Sequence, residues 1–235
     1  MTGTTYISAI LDRSGSMAGQ VDDTIQGYNK WLSATKKAAK GLDTEYTLTL
    51  FDDAVEKPYQ GPIRGAKKLT IDTYFARGTT ALYDSLGGEI LRLKDLVKKK
   101  DRAIILVMTD GHENASVEIT LKRLADLVHN VDQAPNWSIT FIGANIDTFD
   151  AGRRMGMTVN SGRINRSADA LGNQAAFASA ANYSSGVLGN TRRLNDVPTQ
   201  AEYDEEVTKI TGKPATQPAK RPTTRHERRK MGWKV

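Results

Sequence analysis

Short apolar runs alternate along the chain with longer stretches in which apolar residues recur at helical spacing. The first run, TYISAIL, predicts a strand that ends abruptly at Asp12. Val21, Ile25, Tyr28 and Leu32 then share one helix face, predicting an amphipathic helix to about Ala39. EYTLTLF predicts a second strand, and AVEKPYQGPI an edge strand, because its prolines cannot donate to a ladder. Leu82, Leu86, Ile90, Leu93 and Val97 mark the face of a helix opened by Thr80. RAIILVMTDG is nearly continuously apolar, as a central parallel strand covered on both faces must be. Val117, Leu121, Leu124, Val128 and Val131 repeat the helical spacing, and WSITFIGAN predicts another strand. A short helix follows at about Thr148 to Met155, then a short strand near Met157 to Asn160. An alanine-rich helix capped by Ser167 is predicted to run to about Asn182.

Strands alternating with helices imply right-handed crossovers. The predicted fold is α/β and Rossmann-like: a doubly wound, mostly parallel central sheet with helices on both faces. Ligands bind such sheets beyond the carboxyl ends of the strands, at the topological switch point. Asp12 and Asp110 both stand at carboxyl ends, and hence at the same sheet edge. Residues 1–185 are read as this domain and 186–212 as a weakly patterned extension, in which Tyr203, Val207 and Ile210 suggest one short helix. Residues 213–235 are read as a flexible basic tail.

Charge changes that picture only at the tail. The net charge is +6, yet Lys213 to Val235 holds eight Lys/Arg and one acid, leaving 25 basic and 26 acidic groups in the rest. The chain has no cysteine, which excludes disulfides, thiolate metal sites and a cysteine nucleophile and favours a cytoplasmic address. Its start, MTGTTYISAILD, has no basic segment leading into an apolar run, and no apolar stretch approaches the ~20 residues of a membrane span. No membrane association is expected.

The chemistry is concentrated on three loops. Asp12, Ser14 and Ser16 form D-x-S-x-S after the first strand, RGTTALYDSL supplies threonines ahead of a helix, and TDG supplies Asp110. Carboxylates, hydroxyls and water are the ligands of a hard divalent cation, which also offsets the repulsion of two neighbouring carboxylates. Asp52, which ends the second strand, reads as a solvated loop carboxylate, and His112 and Glu113 as polar loop residues beside Asp110. His129 is placed on the polar side of its helix.

These segments also carry a family resemblance. Over roughly residues 1–185 the chain resembles a von Willebrand factor A domain, with D-x-S-x-S, the threonine of a G-x-T loop and T-D-G in order. LDRSGSM and GTTALYDSL are closest to the stand-alone bacterial and phage members. The resemblance implies a metal-ion-dependent adhesion site built from Asp12, Ser14, Ser16, Thr80 and Asp110, with Thr79 the alternative to Thr80. It implies Mg²⁺, with Mn²⁺ or Ca²⁺ sharing the same ligand types. A protein partner presenting Glu or Asp would complete the shell, and a monomer is compatible with the resemblance. The implied activity is metal-dependent protein binding.

Two other classes are weighed against it. A Mg²⁺-dependent phosphohydrolase of the dehalogenase type needs D-x-D-x-T, and here Ser14 holds the third position. The nucleotide-binding G-x-x-x-x-G-K-S/T and G-x-G-x-x-G loops and the serine-nucleophile G-x-S-x-G are all missing, so the chain reads as a non-enzyme. The basic 213–235 tail, with Trp233, offers a sequence-independent contact to nucleic acid, with an acidic protein surface as the competing partner.

Overall fold

The computed structural model describes residues 3–214, so the basic tail predicted from 213 lies outside the described residues but for its first two. Six strands form the sheet: β1 (Thr5–Asp12), β2 (Thr44–Phe51), β3 (Val55–Pro62), β4 (Arg102–Thr109), β5 (Trp137–Gly143) and β6 (Gly162–Asn165). Their order is β3-β2-β1-β4-β5-β6, and only β3 runs antiparallel. Among the described residues six α-helices accompany them, α1 (Val21–Ala38), α2 (Leu82–Leu96), α3 (Leu121–Asp132), α4 (Thr148–Arg154), α5 (Ala170–Leu188) and α6 (Gln200–Thr211), with two 3-10 helices at Gly15–Gln20 and Ile63–Gly65. Among the described residues no helix is long and apolar enough to cross a membrane.

The unbroken apolar strands are explained by cover on both sides. Along β1, Ile7, Ala9 and Leu11 face a cluster with Tyr28 and Trp31 of α1 and Phe177 of α5. Ile10 faces the opposite cluster, with Leu86 and Ile90 of α2 and Leu124 and Val128 of α3. Strand β4 splits the same way, Ile104 and Leu106 to one cluster and Ile105 and Val107 to the other. Each such side chain contributes about 1.5–3 kcal/mol when fully buried. Ser8 breaks the apolar pattern of β1 and donates to Glu89 of α2 (2.5 Å). Glu89 is fully buried; burial would raise its carboxyl pKa, but Arg92, Ser8 and Lys57 outweigh burial and hold it below the usual range.

Four local expectations are corrected. Met157 to Asn160 is not a strand, because Asp132 gathers the Thr158 amide and the hydroxyls of Thr158 and Ser161 into a turn. The strand forms afterwards as β6, and its outer backbone is covered by Gln200, whose side-chain amide bonds both Asn165 N (2.8 Å) and Asn165 O (3.0 Å). Val117 is 90% exposed and lies ahead of α3, since the Asp84 carboxylate holds the 117–119 amides in a loop and Thr120 caps the helix. Asp169 rather than Ser167 accepts the capping bond of α5, and Ser167 donates to Asp169. Helix α5 also runs past Asn182 to Leu188, because Tyr183, Val187 and Leu188 are buried against the core.

The predicted short helix near Tyr203 is present as α6, opened by a Thr199–Glu202 capping box. Leu194, Val197, Tyr203 and Val207 are buried, so this segment contributes to the core.

Helices α1 and α5 pack closely because Gly27 leaves room for Phe177. An added Cβ at Gly27 would lie 2.2 Å from Phe177 Cδ2, inside any permitted contact. Gly27→Ala gains up to ~1 kcal/mol of helix propensity but overpacks a buried ring, a cost of about 1–3 kcal/mol. A net loss of roughly 1 kcal/mol is expected by urea titration; a stabilised variant would contradict this packing.

Candidate metal centre

Strands β1 and β4 pair in parallel, and the direction of chain progression reverses between them, so their carboxyl ends form the switch point. Asp12 is the last residue of β1, and Asp110 directly follows β4. The strand ends bring the two carboxylates into one buried cluster, with Asp12 fully buried and Asp110 4% exposed.

Each carboxylate has its own donors. Asp12 Oδ1 accepts from Ser14 N (2.7 Å), and Asp12 Oδ2 accepts from Thr109 Oγ1 (2.5 Å). The Asp12 carbonyl accepts from Tyr74 Oη (2.5 Å), a fully buried phenol. Asp110 Oδ1 accepts from Ser16 Oγ (2.5 Å), and Asp110 Oδ2 from Gln20 Nε2 (2.6 Å). The hydroxyls of Ser14 and Ser16 are 3.0 Å apart. Ser16 has only one proton and gives it to Asp110, so Ser14 must donate to Ser16. The hydroxyl chain therefore has one direction, toward Asp110.

Thr80 enters from a third side. A Cβ added at Gly111 would stand 3.3 Å from both Ser16 Oγ and Thr80 Oγ1, so the two hydroxyls flank one small space over the Gly111 backbone. Thr80 is buried and Thr79 exposed, which distinguishes the two candidates. Thr80 is held by Asn114, which accepts from Thr80 N (2.8 Å) and donates its own amide to Thr80 O (3.0 Å). Gly78, two residues before, sits at φ 63°, and a Cβ there would collide with Asp53 Oδ1 at 2.0 Å. The loop bringing Thr80 in thus needs that glycine.

All five residues read from the sequence, Asp12, Ser14, Ser16, Thr80 and Asp110, line the same edge. Asp52 is corrected. It is fully buried rather than solvated, and it pairs with Arg13 Nε (2.8 Å) and Arg77 Nε (2.6 Å). Burial would raise its pKa, but the Ala54 amide and the two arginines outweigh burial and hold it below the usual carboxylate range. Glu113 caps the start of α2, accepting from Tyr83 N (2.8 Å), and ties down its own loop through Ala115 and Ser116. His129 is exposed, as expected.

Two residues escaped the sequence reading. Gln20 bridges Asp110 to Arg166, whose Nη1 donates to Gln20 Oε1 (2.7 Å). Arg166 follows β6 immediately and is 3% exposed. Nothing at either position signals this, since the partners are 146 residues apart.

No family model matches the chain, and no curated protein matches it in sequence. Solved structures do match in shape. A von Willebrand factor type A protein from Catenulispora acidiphila aligns over 78% of this chain at 15% identity and a TM-score of 0.59, covering 43% of that protein. The fold is that of a von Willebrand factor A domain. The pilus adhesin SpaC from Lactobacillus rhamnosus GG aligns over 79% of the chain at 12% identity and a TM-score of 0.60, covering 31% of SpaC. The PilB minor pilin from Streptococcus sanguinis aligns over 80% at 10% identity and a TM-score of 0.58, covering 63% of the pilin. The chain spans less than two thirds of each of these proteins.

On this A-domain scaffold the electrostatics are unbalanced. Burial pushes the Asp12 carboxyl pKa up, its Thr109 and Ser14 bonds offset only part of that, and the Asp110 charge adds to the rise. A carboxyl whose pKa rises on folding holds its proton more tightly when folded. Its ionisation therefore costs stability at neutral pH, and the cost is relieved as pH falls through the raised value toward the unfolded ~3.9. Asp12→Asn removes that charge while keeping an acceptor for Ser14 N. In chelator-treated protein it is expected to raise the melting temperature by about 2 °C or more, read by circular dichroism; a lowered one would show the ionised form is the stabilising one.

Proposed function

We propose that this chain is a metal-dependent protein-binding module. The observation that carries the reading is the convergence of three hydroxyls and two carboxylates at the switch point of the sheet. The donor set suits a hard cation: all oxygen, with two negative charges and three neutral groups. Among the described residues no three His, Asp or Glu side chains cluster, so this is a hydroxyl-rich site and not an all-carboxylate cage. Ser14, Ser16 and Thr80 would hold the ion together with Asp110, and Asp12 would support the shell from its buried position. Mg²⁺ is the ion we assign, with Mn²⁺ and Ca²⁺ as substitutes of the same chemistry.

Such an ion supplies Lewis acidity toward an anionic oxygen. Neutral hydroxyls leave more of its charge unquenched than carboxylates would, so an acidic side chain of a partner protein is the fitting last ligand. The residues of this chain supply the orientation: Asn114 fixes Thr80, Thr109 and Ser14 N fix Asp12, and Gln20 fixes Asp110.

A binding role is favoured over phosphohydrolysis by the state of Asp12. It occupies the place of the nucleophile in D-x-D-x-T enzymes, yet it is fully buried and both its oxygens accept protein hydrogen bonds. An oxygen so engaged is a poor nucleophile.

Calorimetric titration of chelator-stripped protein with Mg²⁺ and Mn²⁺ is expected to show saturable binding that Ser14→Ala weakens at least tenfold, roughly 1.4 kcal/mol. Equal binding by both proteins would remove the cation from this loop, and Mg²⁺-dependent release of phosphate from phosphoesters would replace binding with catalysis.

A further inference from the structure

Arg166 is buried in an unusual way. Its Nη1 donates to Gln20 Oε1 (2.7 Å) and to Ser167 O (3.0 Å), while Nε and Nη2 are buried and find no acceptor among the described residues. The other arginines at this sheet edge are engaged differently. Arg13 and Arg77 each contact both Asp52 and Glu56, so that cluster carries no net charge. No carboxylate lies within ion-pair distance of Arg166 among the described residues. Asp169 is close in sequence but exposed, and its Oδ1 is taken by Gly172 N and Ser167 Oγ. An arginine keeps its charge at any working pH, and burying it without a partner is costly. The charge that offsets it most is that of Asp110, reached through Gln20, with the exposed Asp169 adding less.

We propose that Arg166 makes occupancy of this centre by a cation and by a partner's acid mutually dependent. The inference rests on the metal-binding reading above. Asp12, Asp110 and Arg166 sum to one negative charge. A divalent ion turns that into one positive charge, and an incoming carboxylate brings it to zero. Without the guanidinium the ion alone would bring the centre to neutrality, and the acid would leave an excess negative charge. Arg166 therefore weakens the ion bound alone and favours the ion bound together with an acid. By linkage the same factor acts on both ligands. Arg166 is a positioning and charge-setting residue, acting through Gln20 and touching neither ligand. The partner it fits is anionic at the contact point, and neutral oxygen ligands such as a serine or amide are discriminated against.

The test is Mn²⁺ titration of the full chain at constant ionic strength, with sodium acetate as the stand-in acid and sodium chloride as its control. For the natural protein, acetate is expected to tighten Mn²⁺ binding several-fold. Arg166→Gln should bind Mn²⁺ alone about tenfold more tightly and lose most of the acetate gain. Arg166→Lys keeps the charge and should retain the natural pattern. Gln20→Glu changes the local charge by the same amount from a different residue, keeping the acceptor for Arg166 while giving up the bond to Asp110. It too should bind Mn²⁺ alone more tightly and lose most of the acetate gain, which decides the matter if Arg166→Gln does not fold. Folded Arg166→Gln and Gln20→Glu with the natural affinity and the natural acetate gain would overturn the proposal while leaving the metal centre standing. Absence of Mn²⁺ binding in the natural protein, with acetate and without, would overturn the metal reading and this inference with it.

Discussion

Two carboxylates forced together at the ends of adjacent parallel strands are the constraint on which this edge of the molecule depends. The pairing of β1 with β4 fixes where Asp12 and Asp110 stand, and the packing on both faces of the sheet keeps them from water. A buried carboxylate is tolerable only with donors or countercharge around it. Thr109, Ser14 N, Ser16 and Gln20 provide donors, and Arg166 provides charge at one remove. The conformations of three loops follow from satisfying those two groups.

The long stretch between β3 and α2 shows how irregular chain is held in service of that edge. Asn29 of α1 bonds both backbone groups of Leu69, and Tyr74 is inserted into the core with its hydroxyl on the Asp12 carbonyl. Beyond it the Arg77 amide reaches the Arg13 carbonyl, and the guanidinium groups of both lie over Phe75. Gly78 then makes the left-handed turn that delivers Thr80. Residues 66–81, which hold no helix or strand, are thereby positioned as closely as residues within the sheet. On the proposed metal reading that matters, because a hydroxyl is a weak ligand unless it is preorganised.

Much of this was legible in the sequence, and for physical reasons. Strands buried on both faces must be continuously apolar, so β1, β4 and β5 stand out. The helices α1 and α2 follow from their 3.6-residue period. The D-x-S-x-S spacing is local, with Ser14 N returning to Asp12 within two residues, and local bonds leave a pattern in the chain. What stayed hidden was decided by distant partners. Asp52 resembles any loop acid until Arg13 and Arg77 are folded against it. MTVN alternates like a strand, but Asp132 wraps it into a turn. Gln20 and Arg166 acquire meaning only when β6 is laid beside β5 and α5 against α1.

The two charge clusters at this edge were built to different ends. Around Asp52 every charge has a partner: two acids meet two arginines, and Asp52 also accepts the Ala54 amide (2.8 Å). That cluster is electrically closed and locks the loops that carry the hydroxyls. Around Asp110 the count is open: two carboxylates share the centre with one arginine, whose Nε and Nη2 find no acceptor among the described residues. A purely structural network would gain from direct pairing of Arg166 with Asp110, since an ion pair with hydrogen bonds is stronger than one spaced by an amide. Gln20 stands between the two instead, bonded to both. Asp110 Oδ1 is left to the hydroxyl chain, and Asp12, Asp110 and Arg166 together stay one negative charge in excess. On the proposed metal reading, that excess of negative charge is what a cation would offset.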